Sequence, residues 1–575
     1  MSQGLRRRLT SYGDPAFSLF LRKAFIKAMG YSDDALDRPI VGIANTYSDY
    51  NPCHGNVPQL IDAARRGVML AGALPMVFPT ISIHESFANP TSMFLRNLMA
   101  METEEMIRAQ PMDAVILIGG CDKTLPAQMM AAASSEVPAI FLPTGAMMVG
   151  DYGGERIGAC TDCRRLWSMF RAGQLDQAGI DAVNGQLVPS VGTCAVMGTA
   201  STMACLTEAM GLCLPMAGSA PAVAAERVRL AEETGRQAVR LATGNGPTVR
   251  DLLNGKTLHN ALVALQAIGG STNAVVHLSA LAGRLGLKLD LAILDELGRQ
   301  IPTIVDLKPS GDHYMEDFHK AGGMPRVLAE VAAQLHLDAP TVAGGTIGDV
   351  VDGAAEVRGQ TVIRSMAAPL KPMGAIAVLS GNLAPRGAVI KQSAASDKFL
   401  KHTGRAVVFD SVDDMTARID DPNLDVRPDD VLVLRNAGPK GAPGMPEAGY
   451  LPIPRKLAQQ GVTDMVRISD ARMSGTAFGT VILHVTPEAA DGGPLAVVET
   501  GDTINLDVTA RRIDVLLGDA VLAARLAALP AKAANGESRG YARLYRERVL
   551  QADEGADFDF LVPPQANGRR PGETS

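Results

Sequence analysis

The run Gly119-Gly120-Cys121-Asp122-Lys123-Thr124-Leu125-Pro126 sets a thiol, a carboxylate and an amine side by side. An apolar stretch precedes it and a helical pattern follows. That is the setting of a strand-to-helix turn at the ligand-binding edge of an open α/β sheet. The two glycines allow a sharp turn and a close approach to a ligand. A thiolate suits a soft metal and a carboxylate a hard one. Taken alone, the triplet is equally the pattern of a buried cysteine beside a surface ion pair. Two more cysteines occupy similar turns, in Asn51-Pro52-Cys53-His54-Gly55 and in Val191-Gly192-Thr193-Cys194-Ala195-Val196-Met197-Gly198. Three thiolates at one end of a sheet would hold an iron–sulfur cluster one ligand short, and an open iron can act as a Lewis acid. Spacing alone supports this weakly, because the cysteines lie about seventy residues apart.

Cys160-Thr161-Asp162-Cys163 has the spacing of a redox or zinc motif. No second CxxC completes a zinc site and no thioredoxin-like context surrounds it, so it reads as a decoy. Cys205 and Cys213, among Met203, Leu206 and Met210, read as core residues. Further on, Gly438-Pro439-Lys440-Gly441-Ala442-Pro443-Gly444-Met445-Pro446-Glu447 is a shaped loop carrying one lysine and one acid. Ser469-Asp470-Ala471-Arg472-Met473-Ser474-Gly475-Thr476 then follows the apolar residues Val466 and Ile468. A serine in such a turn is either exposed for chemistry or a turn or cap residue. No G-x-S-x-G elbow is present, which argues against ordinary serine hydrolase chemistry.

The elements that must position these residues alternate between short strands and helices over the first two-thirds. Ile40 to Ala44, Asp113 to Ile118 and Pro138 to Leu142 are predicted strands. Gln59 to Ala71, Met99 to Arg108, Ala127 to Ser135 and Ala222 to Ala242 are predicted helices. This alternation predicts a parallel sheet covered by helices on both faces. The texture changes near residue 372. Beyond it lie short β-rich runs at Ala375 to Leu379, Ala406 to Phe409, Val431 to Leu434, Leu495 to Val498, Ile504 to Val508 and Ile513 to Leu517, and a helix at Ala520 to Ala528. The expected fold is therefore α/β, with an N-terminal α/β/α domain over residues 1–371 and a C-terminal β-rich, barrel-like domain over 372–575. The Pro- and Gly-rich end is expected to fray.

With 575 residues, 47% hydrophobic and 20% charged, the chain can build a large core in two or more domains. A net charge of −7 argues against a general nucleic-acid binder. No apolar run approaches the roughly 20 residues that span a bilayer, and no signal-peptide h-region is seen. A soluble, cytoplasmic protein with neither nucleic-acid nor membrane partners is expected. Seven cysteines in such a chain do not read as a disulfide framework.

Together these motifs resemble the dihydroxy-acid and sugar-acid dehydratases, the IlvD/Edd family, from about residue 10 to 560. Cys121 to Ala127 looks like the family's first signature and Ser469 to Gly475 like its second. Gly269-Gly270-Ser271-Thr272-Asn273-Ala274 and Asp306-Leu307-Lys308-Pro309-Ser310-Gly311 match further family blocks. The resemblance implies that Cys53, Cys121 and Cys194 bind a [2Fe-2S] cluster. It implies that Glu85, Asp122 and Glu447 bind Mg2+, with Lys123 carried as a carbamate, and that Ser474 is the catalytic base. It further implies a homodimer or homotetramer acting on a small-molecule acid. Met197 to Thr202 and the block Ser-Asp-Ala-Arg-Met-Ser-Gly-Thr-Ala resemble pentonate dehydratases more than the branched-chain amino-acid enzyme. The implied reaction is dehydration of a sugar acid such as L-arabinonate or D-xylonate, with gluconate or glycerate as further candidates, to a 2-keto-3-deoxy acid. The alternatives are a dihydroxy-acid dehydratase and a non-catalytic iron–sulfur carrier or sensor. His54 and His84, unusual at their positions, either shape the substrate pocket or are structural.

Overall fold

The computed structural model describes residues 3–10, 12–530 and 539–563. The terminal stretch expected to fray lies outside them. Strands β1 (Ile40–Asn45), β2 (Leu74–Pro79), β3 (Ala114–Gly119) and β4 (Ala139–Pro143) form a sheet in the order β2-β1-β3-β4. Every pair in it is parallel. All six residues of β3 are buried, as a continuous apolar run in a sheet covered on both faces should be. From β1 the chain steps one way to β2, then back past β1 to β3 and β4. Right-handed crossovers therefore put helix Val57–Leu70 on one face and helices Ser92–Ala109 and Cys121–Ala133 on the other. Helix Ala225–Thr243 joins the first face. Gly67 and Gly235 let its backbone meet that of Val57–Leu70, where a Cβ on Gly67 would collide with the Glu232 carbonyl. The strand order reverses between β1 and β3, and the crevice at their carboxyl ends is where such sheets bind ligands.

A hairpin, β5 (Gly150–Tyr152) and β6 (Glu155–Ile157), leads into helix Thr161–Arg171. The second sheet holds β7 (Ala377–Leu379), β8 (Gly387–Ile390), β9 (Lys401–Phe409), β10 (Val431–Leu434), β11 (Val466–Ser469), β12 (Val481–Thr486), β13 (Thr503–Asp507) and β14 (Arg512–Val515). Their order is β14-β13-β9-β10-β11-β12-β8-β7. β9 to β12 run parallel and the outer strands antiparallel. Ser380, just past β7, bridges to Arg512 on β14, so the two edges meet and the sheet is nearly closed. Val433, Val466, Ile468, Ile482 and Ile504 share its core. The expected class, an N-terminal α/β layer with a barrel-like C-terminal part, is the one observed.

Six strands were not foreseen: β2, β5, β6, β8, β11 and β12. Leu495 to Val498, expected as a strand, is instead the 3-10 turn Pro494–Val497. Pro494 fixes φ and has no N–H to offer a ladder, so the run starts as a turn. Among the described residues no helix is long and apolar enough to cross a membrane. Residues 539–563 run back to the first sheet's helices. Arg96 donates to the carbonyls of Gly555 (2.7 Å) and Ala556 (3.0 Å), and Arg284 pairs with Asp557 in full burial. The same stretch pairs Asp553 and Glu554 with Arg386 beside β8.

Candidate functional site

Cys53 sits in the 3-10 turn Pro52–His54 that follows β1, and Cys121 opens the helix that leaves β3. Cys121 has φ of +51°, a left-handed conformation uncommon for a residue with a side chain. Gly120 before it has no room for a Cβ, which would collide with Thr144. His54 ties the two turns together. Its Nδ1 lies 2.8 Å from the Thr46 carbonyl, and its Nε2 accepts the Gly120 N–H at 3.0 Å. Burial pushes its pKa down to about 4, so the ring stays neutral with its proton on Nδ1. His54 is thus structural. Replacing it with alanine orphans two buried backbone groups, at about 1–3 kcal/mol each. His54→Ala is expected to lower the thermal midpoint clearly; an unchanged midpoint would show that the turns hold without it.

The sulfurs of Cys53 and Cys121 and an imidazole nitrogen of His84 lie within 4.8 Å of one another. Cys194 stands outside this trio. Its loop is fixed to the end of β4 by Thr193 N–H to Gly145 O (2.9 Å) and Met147 N–H to Thr193 O (2.8 Å). Cys194 packs with Cys160 in one apolar cluster, and Cys160, burial and Cys53 push its thiol pKa well up. The three expected cysteines are therefore gathered as a pair and a third, and Cys160, set aside from the sequence, stands beside the third. Cys205 and Cys213 lie in the main hydrophobic core, as expected.

The four expected hard-metal residues are also brought together. Lys123 Nζ lies 3.0 Å from Glu85 and 3.5 Å from Asp122. Arg472, not foreseen, completes the group, with contacts of 2.9 Å to Glu85, 2.6 Å to Glu447 and 2.8 Å to the Thr91 hydroxyl. Thr91 and Ser92 also donate to Glu85. Burial opposes ionisation of Glu85, but Arg472 and Lys123 outweigh it and hold its carboxyl well below the usual range. Burial raises Glu447 more than Arg472 lowers it. Burial and Arg472 pull Lys123 down, yet the acids Glu85, Asp122 and Glu447 leave it above the ordinary lysine value. Three carboxylates thus enclose two buried cations. The signal that could have revealed Arg472 was its place two residues before Ser474, in the block that carries the expected base.

Ser474 lies in the loop after β11, 8% exposed, with its Oγ 2.8 Å from the Thr476 hydroxyl. Gly475 packs against Ser271 and the backbone of Thr199, so the Gly269 to Ala274 block and the helix after Cys194 support the serine loop. Lys391, fully buried, donates to the Gly475 carbonyl at 3.3 Å. Burial pushes its pKa down to about 7. An unfolded lysine keeps its proton to near pH 10, so between pH 7 and 10 the unfolded chain binds more protons and the folded state gains stability as pH rises. At about 1.4 kcal/mol per pH unit for one group, Lys391→Met should flatten that rise. Parallel pH–stability curves for the two proteins would contradict it.

Residues 38–350 match the sequence model described as dihydroxy-acid/6-phosphogluconate dehydratase N-terminal, and residues 361–556 match its C-terminal counterpart. Over 566 residues the chain is 45% identical to the L-arabinonate dehydratase of Rhizobium leguminosarum bv. trifolii (strain WSM2304), covering 97% of this chain and 96% of that one. It is 48% identical over 552 residues to the L-arabonate dehydratase of Azospirillum brasilense, covering 94% of each. Identity to the 6-deoxy-6-sulfo-D-gluconate dehydratase of Pseudomonas putida is 42% over 539 residues, covering 93% and 92%. Dihydroxy-acid dehydratases match at 37–38% identity.

Proposed function

Since the chain belongs to the dihydroxy-acid/6-phosphogluconate dehydratase family and is a dehydratase, we propose that it removes water from a sugar acid, such as L-arabinonate or D-xylonate, to give a 2-keto-3-deoxy acid. One observation carries this reading: soft and hard donors adjoin across Asp122. It follows Cys121, whose sulfur lies within 4.8 Å of that of Cys53, and its carboxylate lies 3.5 Å from Lys123 Nζ, which also pairs with Glu85.

The donor sets fit the two groups the family implies. A [2Fe-2S] cluster takes thiolates, and Cys53, Cys121 and Cys194 supply three. Magnesium takes oxygens, and Glu85, Asp122 and Glu447 supply them. A cationic Lys123 would repel a divalent ion, whereas a carbamate on its buried Nζ adds an oxygen-donor anion. When bound, these groups supply Lewis-acid polarisation of the departing hydroxyl and of the acid's carboxylate end.

The chain's own residues do the rest. Ser474 takes the proton from C2 on its Oγ. The C3 hydroxyl leaves with a proton as water, and the resulting enol rearranges to the 2-keto acid. The Thr476 hydroxyl holds Ser474 Oγ in line. Lys391 places a group that titrates near neutrality behind the serine loop, where a positive charge favours the serine anion. Arg472 keeps Glu85 ionised and orients both Glu85 and Glu447.

The test is a keto-acid assay on anaerobically reconstituted protein with L-arabinonate, D-xylonate, gluconate, glycerate and 2,3-dihydroxy-isovalerate. Turnover of a sugar acid well above that of the branched acid is expected; preference for the branched acid would replace this reading by the amino-acid-pathway one. We also propose a homo-oligomer in the cytoplasm. All seven cysteines are free, as a reducing compartment would keep them, and helix Pro15–Lys27 leaves Phe17, Phe20 and Phe25 exposed, a face that suits a second copy of the chain.

A further inference from the structure

Cys160 caps the start of helix Thr161–Arg171, and its side chain makes no cap hydrogen bond there. Cys163 and, after it, Cys194 act on its thiol and lower its pKa. The Cys163 sulfur is engaged with the Cys160 carbonyl at 2.7 Å. The segment is held in place from three directions. Asp162 accepts from the Gly158 N–H (2.8 Å), from Lys308 (2.8 Å) and from the Tyr314 hydroxyl (2.9 Å). Thr161 donates to the Thr476 carbonyl at 2.9 Å, and Arg164 reaches Glu447 at 3.9 Å. Cys160 and Cys194 also pack in one apolar cluster with Ala195, Val196 and Tyr314. Cys160 is thus a fixed part of the site, between the Cys194 loop and the serine loop.

The thiols are arranged in two groups: the Cys53 and Cys121 sulfurs lie within 4.8 Å of each other, and Cys160 packs with Cys194 in one apolar cluster. A diiron cluster takes two protein ligands per iron, and ligands of one iron lie closer to each other than to those of its neighbour. We propose that Cys160 is a fourth cluster ligand, binding the iron held by Cys194 whenever no substrate is present. It gives up its thiol proton on binding and takes one back on release, and no electron moves. The cap would shield from oxidants the one iron that the other three cysteines leave open. This inference rests on the cluster proposed above.

The test is Mössbauer spectroscopy of the full-length protein reconstituted anaerobically with iron-57 and sulfide, with no sugar acid present. The wild type is expected to show two equivalent, all-sulfur irons. Cys160→Ala is expected to show one altered iron, and its visible absorption should bleach in air about tenfold faster. Cys163→Ala should keep the wild-type spectrum. Inequivalent irons in the resting wild type would overturn the proposal without any variant, and so would an altered iron in Cys163→Ala but not in Cys160→Ala. A protein that takes up no iron would sink it together with the cluster. Four-thiolate irons in a protein that dehydrates no sugar acid would sink the sugar-acid reading and leave this one standing.

Discussion

Ser474→Ala loses turnover by roughly 10³-fold or more, while iron content, sulfide content and visible spectrum stay those of the wild type. A positioned general base contributes about 10²–10⁴ in rate. Ser474 donates nothing to the thiol group or to the carboxylates; its Oγ bonds only Thr476 among the hydrogen bonds seen. Alanine in its place removes one oxygen and keeps the backbone of a loop already held by Lys391, Ser271 and Thr199. The measurement is kcat on the best sugar acid, beside the absorption spectrum. A variant with kcat near the wild-type value would take the serine out of the reaction. Loss of iron along with activity would instead mark it as a structural support of the thiol site.

Arg472→Met destabilises the metal-free protein by about 3–5 kcal/mol, the cost of leaving buried carboxylates without their partner. Arg472 is 1% exposed and spans Glu85 and Glu447, so its loss strands both acids against Asp122. A divalent cation can take over part of that neutralisation, because a ligand bound only by the folded state stabilises it. Magnesium should therefore raise the thermal midpoint of Arg472→Met more than that of the wild type, both compared with EDTA. Arg472→Lys restores the charge but not the two-pronged contact, and should recover only part of the loss. Equal midpoints for Arg472→Met and wild type in EDTA would show that the acids need no internal cation.

The sequence exposed what is local. The turns holding Cys53, Cys121 and Cys194 are written in Gly and Pro next to apolar runs, and the strands before the first two stand where the apolar runs predict. β2 escaped notice because prolines at 75 and 79 interrupt Leu74–Pro79; as an edge strand it can carry them. What depended on distant pairing was hidden. Arg472 and Glu85 meet from 387 residues apart, and no spacing rule links them. Cys160 was weighed only against its neighbour Cys163, the partner a CxxC motif suggests, whereas it also packs with Cys194 across the site. From the sequence His54 could equally shape the pocket or be structural; its two backbone partners, Thr46 and Gly120, reveal a brace.

The chain's last described stretch clasps Arg96 and Arg284 near the first sheet and Arg386 beside the second. It comes after both sheets in the chain, so it can dock only onto surfaces already formed. Glu85 comes from one side of the molecule, Glu447 and Arg472 from the other. Competence is therefore a late event in biogenesis: nascent protein carries each half of the chemistry before the latch that aligns them has closed.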